Sequence, residues 1–168
     1  MKKILLTQGK TTLVDDEDYE RLSKYKWCAQ KNFRSNVWYA ARQISTGNGK
    51  QKTITMHREI MNATKGRQID HRNGNGLDNR KENLRFCTHQ QNMFNRITPL
   101  KNNKLSIKGV RWREDMKKFQ AQIKFNRRVI NLGFFTVLAD ADQAYRVAEI
   151  KYFREFAREE TKKLYFMV

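Results

Sequence analysis

The stretch that decides the fold runs Gln68-Ile69-Asp70-His71-Arg72-Asn73-Gly74-Asn75-Gly76-Leu77-Asp78-Asn79-Arg80-Lys81-Glu82-Asn83-Leu84-Arg85-Phe86-Cys87-Thr88-His89-Gln90-Gln91-Asn92. Ile69-Asp70-His71 reads as the end of a brief strand. Asn73 to Asn79 are strong turn formers and predict a loop. Leu84-Arg85-Phe86-Cys87 alternates and predicts a second strand. Thr88-His89-Gln90-Gln91 is a capping-box pattern, so a helix starts there. The layout is ββα. On that helix Asn92, Asn95 and Arg96 lie three and four residues apart and share a face, which aims Asn92 back at the Asp70 strand. Neighbouring strand residues point to opposite faces. Asp70 and His71 therefore serve one site only where the strand ends and the backbone turns.

Asp70 and Asn92 offer hard oxygen ligands, which suit Mg²⁺ or Mn²⁺ better than zinc. His71, beside Asp70, carries an imidazole, whose ordinary titration lies near neutrality. The competing reading is an Asn- and Gly-rich loop in which His71 is an ordinary surface or capping residue. The spaced Asn83 and Asn92, the capping box and the basic context weigh against it. His57 and Arg58 stand apart from the stretch and, with Arg96, are phosphate-contact candidates.

This run resembles the HNH nucleases of phages and the intron-encoded homing endonucleases. His57-Arg58 also looks like a segment that precedes the motif in that group. The resemblance implies that Asp70 and Asn92 bind the metal, that His71 is the general base, and that Asn83 ties down the loop. The family often has histidine at the third motif position, where this chain has Asn92. The implied chemistry is attack of an activated water on phosphorus, with a cation stabilising the charge that develops.

The 168 residues include 35 Lys and Arg against 17 Asp and Glu, a net charge of +18. Such a field draws polyanions, and DNA or RNA binding follows from the release of condensed counterions. The charge is uneven. Residues 1–97 carry 19 basic and 9 acidic side chains, residues 98–131 carry 10 and 2, and residues 132–168 carry 6 of each. The two cysteines, Cys28 and Cys87, are too few for a disulfide framework or a four-cysteine zinc site, so no structural zinc is expected. The sequence shows no membrane span or signal peptide, and a cytoplasmic protein is expected.

The single proline, Pro99, lies in an Asn/Lys cluster and marks a boundary. Residues 1–97 form one domain with its ββα core at about 67–97, residues 98–107 a linker, and residues 108–168 a second domain. In the first, strands are expected at 2–6 and 36–44, with a helix after the acidic run at Asp15. The Gly47-Asn48-Gly49 turn should lead into a return strand to Met56, and a short helix should follow at His57 to Met61.

In the second domain, Phe119, Ala121, Ile123 and Phe125 alternate with Lys118, Gln120, Gln122 and Lys124, predicting a one-sided sheet. Arg111 and Arg113 extend its polar face, and Asn126-Arg127-Arg128 makes a turn before Asn131. From Leu138 to Glu159 the pattern is helical, with Ala141, Ala144, Tyr145, Ala148, Tyr152 and Phe156 forming a stripe to bury against the sheet. Thr136 is the expected N-cap. The segment is similar to the plant ethylene-response-factor DNA-binding domain at Gly109-Val110-Arg111, Lys118-Phe119, Ile123, Leu132-Gly133-Phe134-Phe135 and Ala144-Tyr145…Ala148. That resemblance implies that Arg111, Arg113, Gln122 and Lys124 face DNA. Lys118, Gln120, Arg127 and Asn131 join them as candidates from the strand pattern. The chain has Gln122 where the plant domains often have an acidic residue, and Asn131 where they often have tryptophan.

The expectation is an α+β protein: a ββα-metal HNH nuclease domain, then a three-stranded antiparallel sheet packed on one helix. Its partner is double-stranded DNA, with no membrane and no protein partner implied. Two rivals stand beside it. One is a non-catalytic, sequence-specific DNA-binding regulator retaining an HNH scaffold; the other is an RNA-binding protein indifferent to divalent metal.

Overall fold

Among the described residues, ten strands and five helices arise from short, mostly polar segments, so small sheets form rather than one large one. The computed structural model describes residues 1–33, 35–95 and 103–166. By contacts the chain divides into two units, Met1–Asn92 and Met93–Val168. Pro99 and the start of the expected linker lie outside the described residues.

In the first unit, β1 (Lys2–Leu5) pairs antiparallel with β2 (Thr11–Val14), and helix α1 (Asp16–Ser23) follows. The acidic first turn of α1 (Asp16, Glu17, Asp18) complements the positive end of the helix. A second sheet orders β3 (Cys28–Asn32), β4 (Val37–Ser45) and β5 (Gln51–Thr55). Its second hairpin turns at Gly47 and Gly49, both at positive φ, and helix α2 (Met56–Ile60) follows at once. The core gathers Ile4, Val14, Leu22, Trp27, Met56 and Leu84. Strands β2 and β3 are additions to the sequence reading, because neither has a clean period of two. Arg42 is held there by charge and stacking, over the Tyr25 ring at 3.9 Å and on Glu59 through two hydrogen bonds of 3.2 and 3.0 Å.

The ββα segment forms from β6 (Gln68–His71), β7 (Leu84–Cys87) and α3 (His89–Phe94). A 3-10 turn at Lys81–Asn83 leads into β7. The capping box closes both ways: the Thr88 N–H donates to Gln91 Oε1 at 2.8 Å, and the Gln91 N–H donates to Thr88 Oγ1 at 3.2 Å.

In the second unit, β8 (Val110–Arg113), β9 (Lys118–Phe125) and β10 (Arg128–Phe135) form an antiparallel sheet in the order β10-β9-β8. Asn126 and Arg127 take positive φ between β9 and β10, the geometry of a tight hairpin. A register shift falls between Asn131 and Gly133. Helix α4 (Leu138–Phe153) buries Ala141, Tyr145, Ala148, Glu149 and Phe153.

Two details differ from the sequence reading. The N-cap of α4 is Val137, without a side-chain cap, and not Thr136. The helix also ends at Phe153, before the expected Glu159, because Arg154 takes a left-handed φ of 50°. A 3-10 turn (Arg154–Phe156) and helix α5 (Glu159–Phe166) follow. The fully buried Glu149 carboxylate ties these pieces together. Thr161 Oγ1 donates to it at 2.8 Å, and Arg158 Nη2 lies 2.9 Å away.

Candidate active site

Strands β6 and β7 pair with Asp70 opposite Arg85 and His71 opposite Leu84. Asp70 and His71 are each only 5% exposed. Arg85 donates from Nε at 2.8 Å and from Nη2 at 2.6 Å to Oδ2 of Asp70. His71, at the strand end, lies on a different set of groups. Its Nε2 is 3.3 Å from Asn79 Oδ1, and its ring lies 5.1 Å from that of His57 and 5.8 Å from that of Tyr39. The Tyr39 and His57 rings are 5.5 Å apart, so the three rings form one cluster. Gly76 makes room for it, since a Cβ there would come within 2.7 Å of the Tyr39 ring.

The loop between the strands is stitched by side chains. Asn83 Oδ1 accepts the Asn73 N–H at 3.0 Å, and Asn83 Nδ2 donates to the Asp78 carbonyl at 2.8 Å. Asp78, almost fully buried, accepts from Arg80 Nε and Nη2 at 2.8 and 2.7 Å and from Asn73 Nδ2 at 2.8 Å. Hydrogen bonds from Arg80 hold the Asp78 carboxyl below its usual range. β2 borders this loop: the Leu13 N–H donates to the Leu77 carbonyl at 2.9 Å, and the Asn79 N–H to the Leu13 carbonyl at 2.8 Å.

Burial lowers the pKa of both histidines. For His71 it outweighs the Asn79 contact and the nearby Asp70 and Asp78 charges, which act the other way. For His57, burial joined by His71 and Arg58 brings it down to about 3. Both rings are therefore neutral at physiological pH, the form in which an imidazole can take up a proton. His57 Nε2 meets Thr55 Oγ1 at 3.2 Å.

Asn92, on α3, donates from Nδ2 to Gln68 Oε1 at 3.3 Å. Gln68 and Asp70 alternate onto one face of β6, so Gln68 links Asn92 to the face that carries Asp70. A cleft of about 420 Å³ is lined by Lys31, Tyr39, His57, Gln68 and Asn92 among others; the buried Asp70 and His71 are not among its lining residues. Arg58 also borders it, but its guanidinium is committed to the backbone carbonyls of Ala63, Thr64 and Arg67, at 3.1, 2.8 and 2.6 Å. Arg96 lies outside the described residues. Among the described residues, Asp15, Glu17 and Asp18 bring three carboxylates together. Lys81 answers that cluster, with its N–H on Asp15 and its ammonium on Glu17.

In the second unit, Arg111, Arg113, Lys118, Gln122, Lys124 and Asn131 occupy the sheet face opposite Phe119, Ala121 and Ile123. Gln120, expected to reach outward with them, is only 7% exposed. Its Oε1 accepts from Arg111 Nε and Nη2 at 3.0 and 2.9 Å and from Arg113 Nη1 at 3.2 Å; its Nε2 donates to Asn131 Oδ1 at 3.1 Å. Gln120 thus holds the arginines in place. Arg127 sits exposed in the turn after β9.

Sequence reasoning missed Tyr39, Asn79 and Arg85. Arg85 carried a usable signal, a charged residue inside a four-residue strand facing a second short strand. Tyr39 and Asn79 carried none, because their partners are remote in sequence.

The model of a family described as HNH endonuclease matches residues 63–94, a span that contains Asp70, His71, Asn83 and Asn92. No curated protein and no solved structure matches the chain. The family match supports an HNH-type nuclease. Such nucleases act on DNA and generally use a divalent metal. No helix among the described residues is long and apolar enough to cross a membrane.

Proposed function

We propose that this chain is a divalent-metal-dependent DNA endonuclease that hydrolyses phosphodiester bonds, with residues 1–97 as the nuclease domain and residues 108–168 as its DNA reader. The observation that carries the reading is the family match over residues 63–94, within which Asp70 and His71 end β6 and Asn92 bonds to Gln68 of the same strand.

The donor set fits a hard cation. Asp70 supplies a carboxylate, and Asn92, bonded to Gln68 through its NH₂ group, has its carbonyl oxygen as the coordinating arm. Bound there, Mg²⁺ or Mn²⁺ would supply charge stabilisation at phosphorus and at the departing oxygen. Arg85 holds the Asp70 carboxylate in place through two hydrogen bonds to Oδ2. Asn83 keeps the loop closed, so that His71 stays at the strand end. His71 takes a proton from the attacking water, and burial keeps the ring neutral until it does so.

The appended reader makes physical sense, because a small metal site touches one phosphate and cannot select a long sequence. Arg111, Arg113, Gln122, Lys124 and Asn131 would present a β-sheet face to the major groove. A cleft of about 760 Å³ lined by Lys52 and Lys65 offers further phosphate contacts in the first unit. The biological setting that fits is a homing endonuclease of a phage or mobile intron.

The test is cleavage of supercoiled plasmid and phage DNA with Mg²⁺, Mn²⁺ or EDTA, comparing the natural chain with His71→Ala. Metal-dependent nicking or linearisation should fall by roughly 10²-fold or more in the variant. Sequence-specific binding without cleavage at any site would leave a DNA-binding regulator on an HNH scaffold instead.

A further inference from the structure

The 3.3 Å contact between His71 Nε2 and Asn79 Oδ1 decides which imidazole nitrogen carries the proton. Taken alone it is ambiguous, since an amide can be turned end for end and either ring nitrogen can hold hydrogen. The groups behind Asn79 remove the ambiguity.

Asn79 has no solvent exposure, and its other amide arm lies 2.7 Å from Thr12 Oγ1. Thr12 sits on β2, 67 positions earlier, and is equally buried. Its hydroxyl oxygen also lies 2.7 Å from the backbone carbonyl of Leu77. A carbonyl can only accept, and a threonine hydroxyl has one proton to give. That proton goes to Leu77, because the remaining neighbour, Met56 sulfur at 3.9 Å, is a weak acceptor. Thr12 Oγ1 must then accept from Asn79, so the arm facing Thr12 is the NH₂ group. The arm facing His71 is the carbonyl oxygen. An oxygen accepts, and so the ring carries a hydrogen on Nε2 and donates it to Asn79.

We infer that Thr12 and Asn79 are positioning residues that set the tautomer of His71, holding its hydrogen on Nε2. The inference rests on His71 acting as the general base, and adds the residues that fix its ring. It also gives the N-terminal hairpin a task in the reaction. The relay begins at a backbone carbonyl, passes through a hydroxyl and an amide, and ends at an imidazole, with every member in the first unit.

Thr12→Val keeps the shape of the side chain and deletes the hydroxyl; Thr12→Ser restores it. The direct readout is the ¹⁵N spectrum of full-length protein labelled in its three histidines, at a pH where the rings are neutral. His57→Gln and His89→Gln assign the signals. Wild type and Thr12→Ser should show the Nε2–H tautomer at His71, and Thr12→Val a mixture. On the cleavable DNA, Thr12→Val should lower kcat by roughly 10- to 100-fold with little change in KM, and Thr12→Ser should restore it. Asn79→Ala supplies the same loss of tautomer control should Thr12→Val not fold. An Nδ1–H tautomer in wild type overturns the inference. So does a His71 spectrum that neither Thr12→Val nor Asn79→Ala alters. The spectrum needs no cleavage, so a tautomer held as expected in a chain that cuts no DNA would retain the relay and remove the nuclease reading.

Discussion

Arg85 lies directly across the β6–β7 ladder from Asp70 and directs two N–H groups, at 2.8 and 2.6 Å, onto one carboxylate oxygen. Both side chains are 6% exposed. Removing one partner of such a buried pair strands the other charge, at a cost of roughly 3–5 kcal/mol. Arg85→Met should lower stability by about that amount in metal-free buffer. Mg²⁺ should recover part of the loss by binding Asp70, but should leave Asp70→Asn unshifted. Thermal denaturation with and without the cation checks this. Equal Mg²⁺ shifts in the two variants would remove Asp70 from the metal site.

The two buried histidines make stability fall with acid. Their folded pKa values lie below the unfolded value of 6.5, so the unfolded chain binds protons more readily. Their contribution is complete above about pH 6.5 and is lost as pH falls toward the folded values, near 3 for His57. While one ring stays neutral in the fold and protonates in the unfolded chain, the slope is at most about 1.4 kcal/mol per pH unit. Urea titrations from about pH 7 to about pH 5 should show the decline, with a shallower one in His57→Gln. Parallel curves would mean that His57 is not held neutral.

Asn83 satisfies two backbone groups of the loop at once, the Asn73 N–H and the Asp78 carbonyl. Asn83→Ala leaves both without that partner, at about 1–3 kcal/mol for each group left buried and unsatisfied. Hydrogen exchange should speed up across residues 72–80, and cleavage should drop while DNA affinity changes little. Unchanged exchange in that loop would assign its order to Asp78 and Arg80 instead.

Gly109 sits at φ +77°, and a Cβ there would come within 2.0 Å of the Tyr145 ring. That ring is buried, and the same Cβ would lie 2.8 Å from the Gln122 backbone carbonyl. Gly109→Ala should therefore unfold the sheet-and-helix unit and abolish DNA binding, as read by near-UV dichroism and a gel shift. A folded variant that binds normally would show that α4 can shift away from β8.

Gln120 holds Arg111 and Arg113 without reaching solvent itself. Gln120→Ala leaves both charges in place but releases their geometry. The salt dependence of DNA binding should stay the same while selectivity between sequences falls. Arg111→Ala should cost affinity as well, by about 1–3 kcal/mol if it reads a base edge. Salt-titrated binding to target and random duplexes separates the two outcomes.

The sequence by itself determined what local forces control. Turn formers from Asn73 to Asn79 make a loop wherever they fall, and the Thr88–Gln91 box closes on itself, so the ββα order was legible. Alternation from Lys118 to Phe125 likewise divides apolar from polar positions on β9. Where the α4 helix stops was not legible: Arg154 takes φ 50°, and the buried Glu149 of the helix is met by Arg158 and Thr161 from beyond its end.

Only the tertiary structure decided which groups surround each candidate residue. Asp70 meets Arg85 because of strand register, and Gln120 is covered because two arginines fold over it. His71 lies among Tyr39, His57 and Asn79, and Asn79 is oriented by Thr12 from a hairpin 67 positions away. These are hydrogen bonds and ring contacts between segments remote in sequence. Their geometry follows from how the small sheets bury Trp27, Leu22 and Met56, and no residue pattern within one segment encodes it.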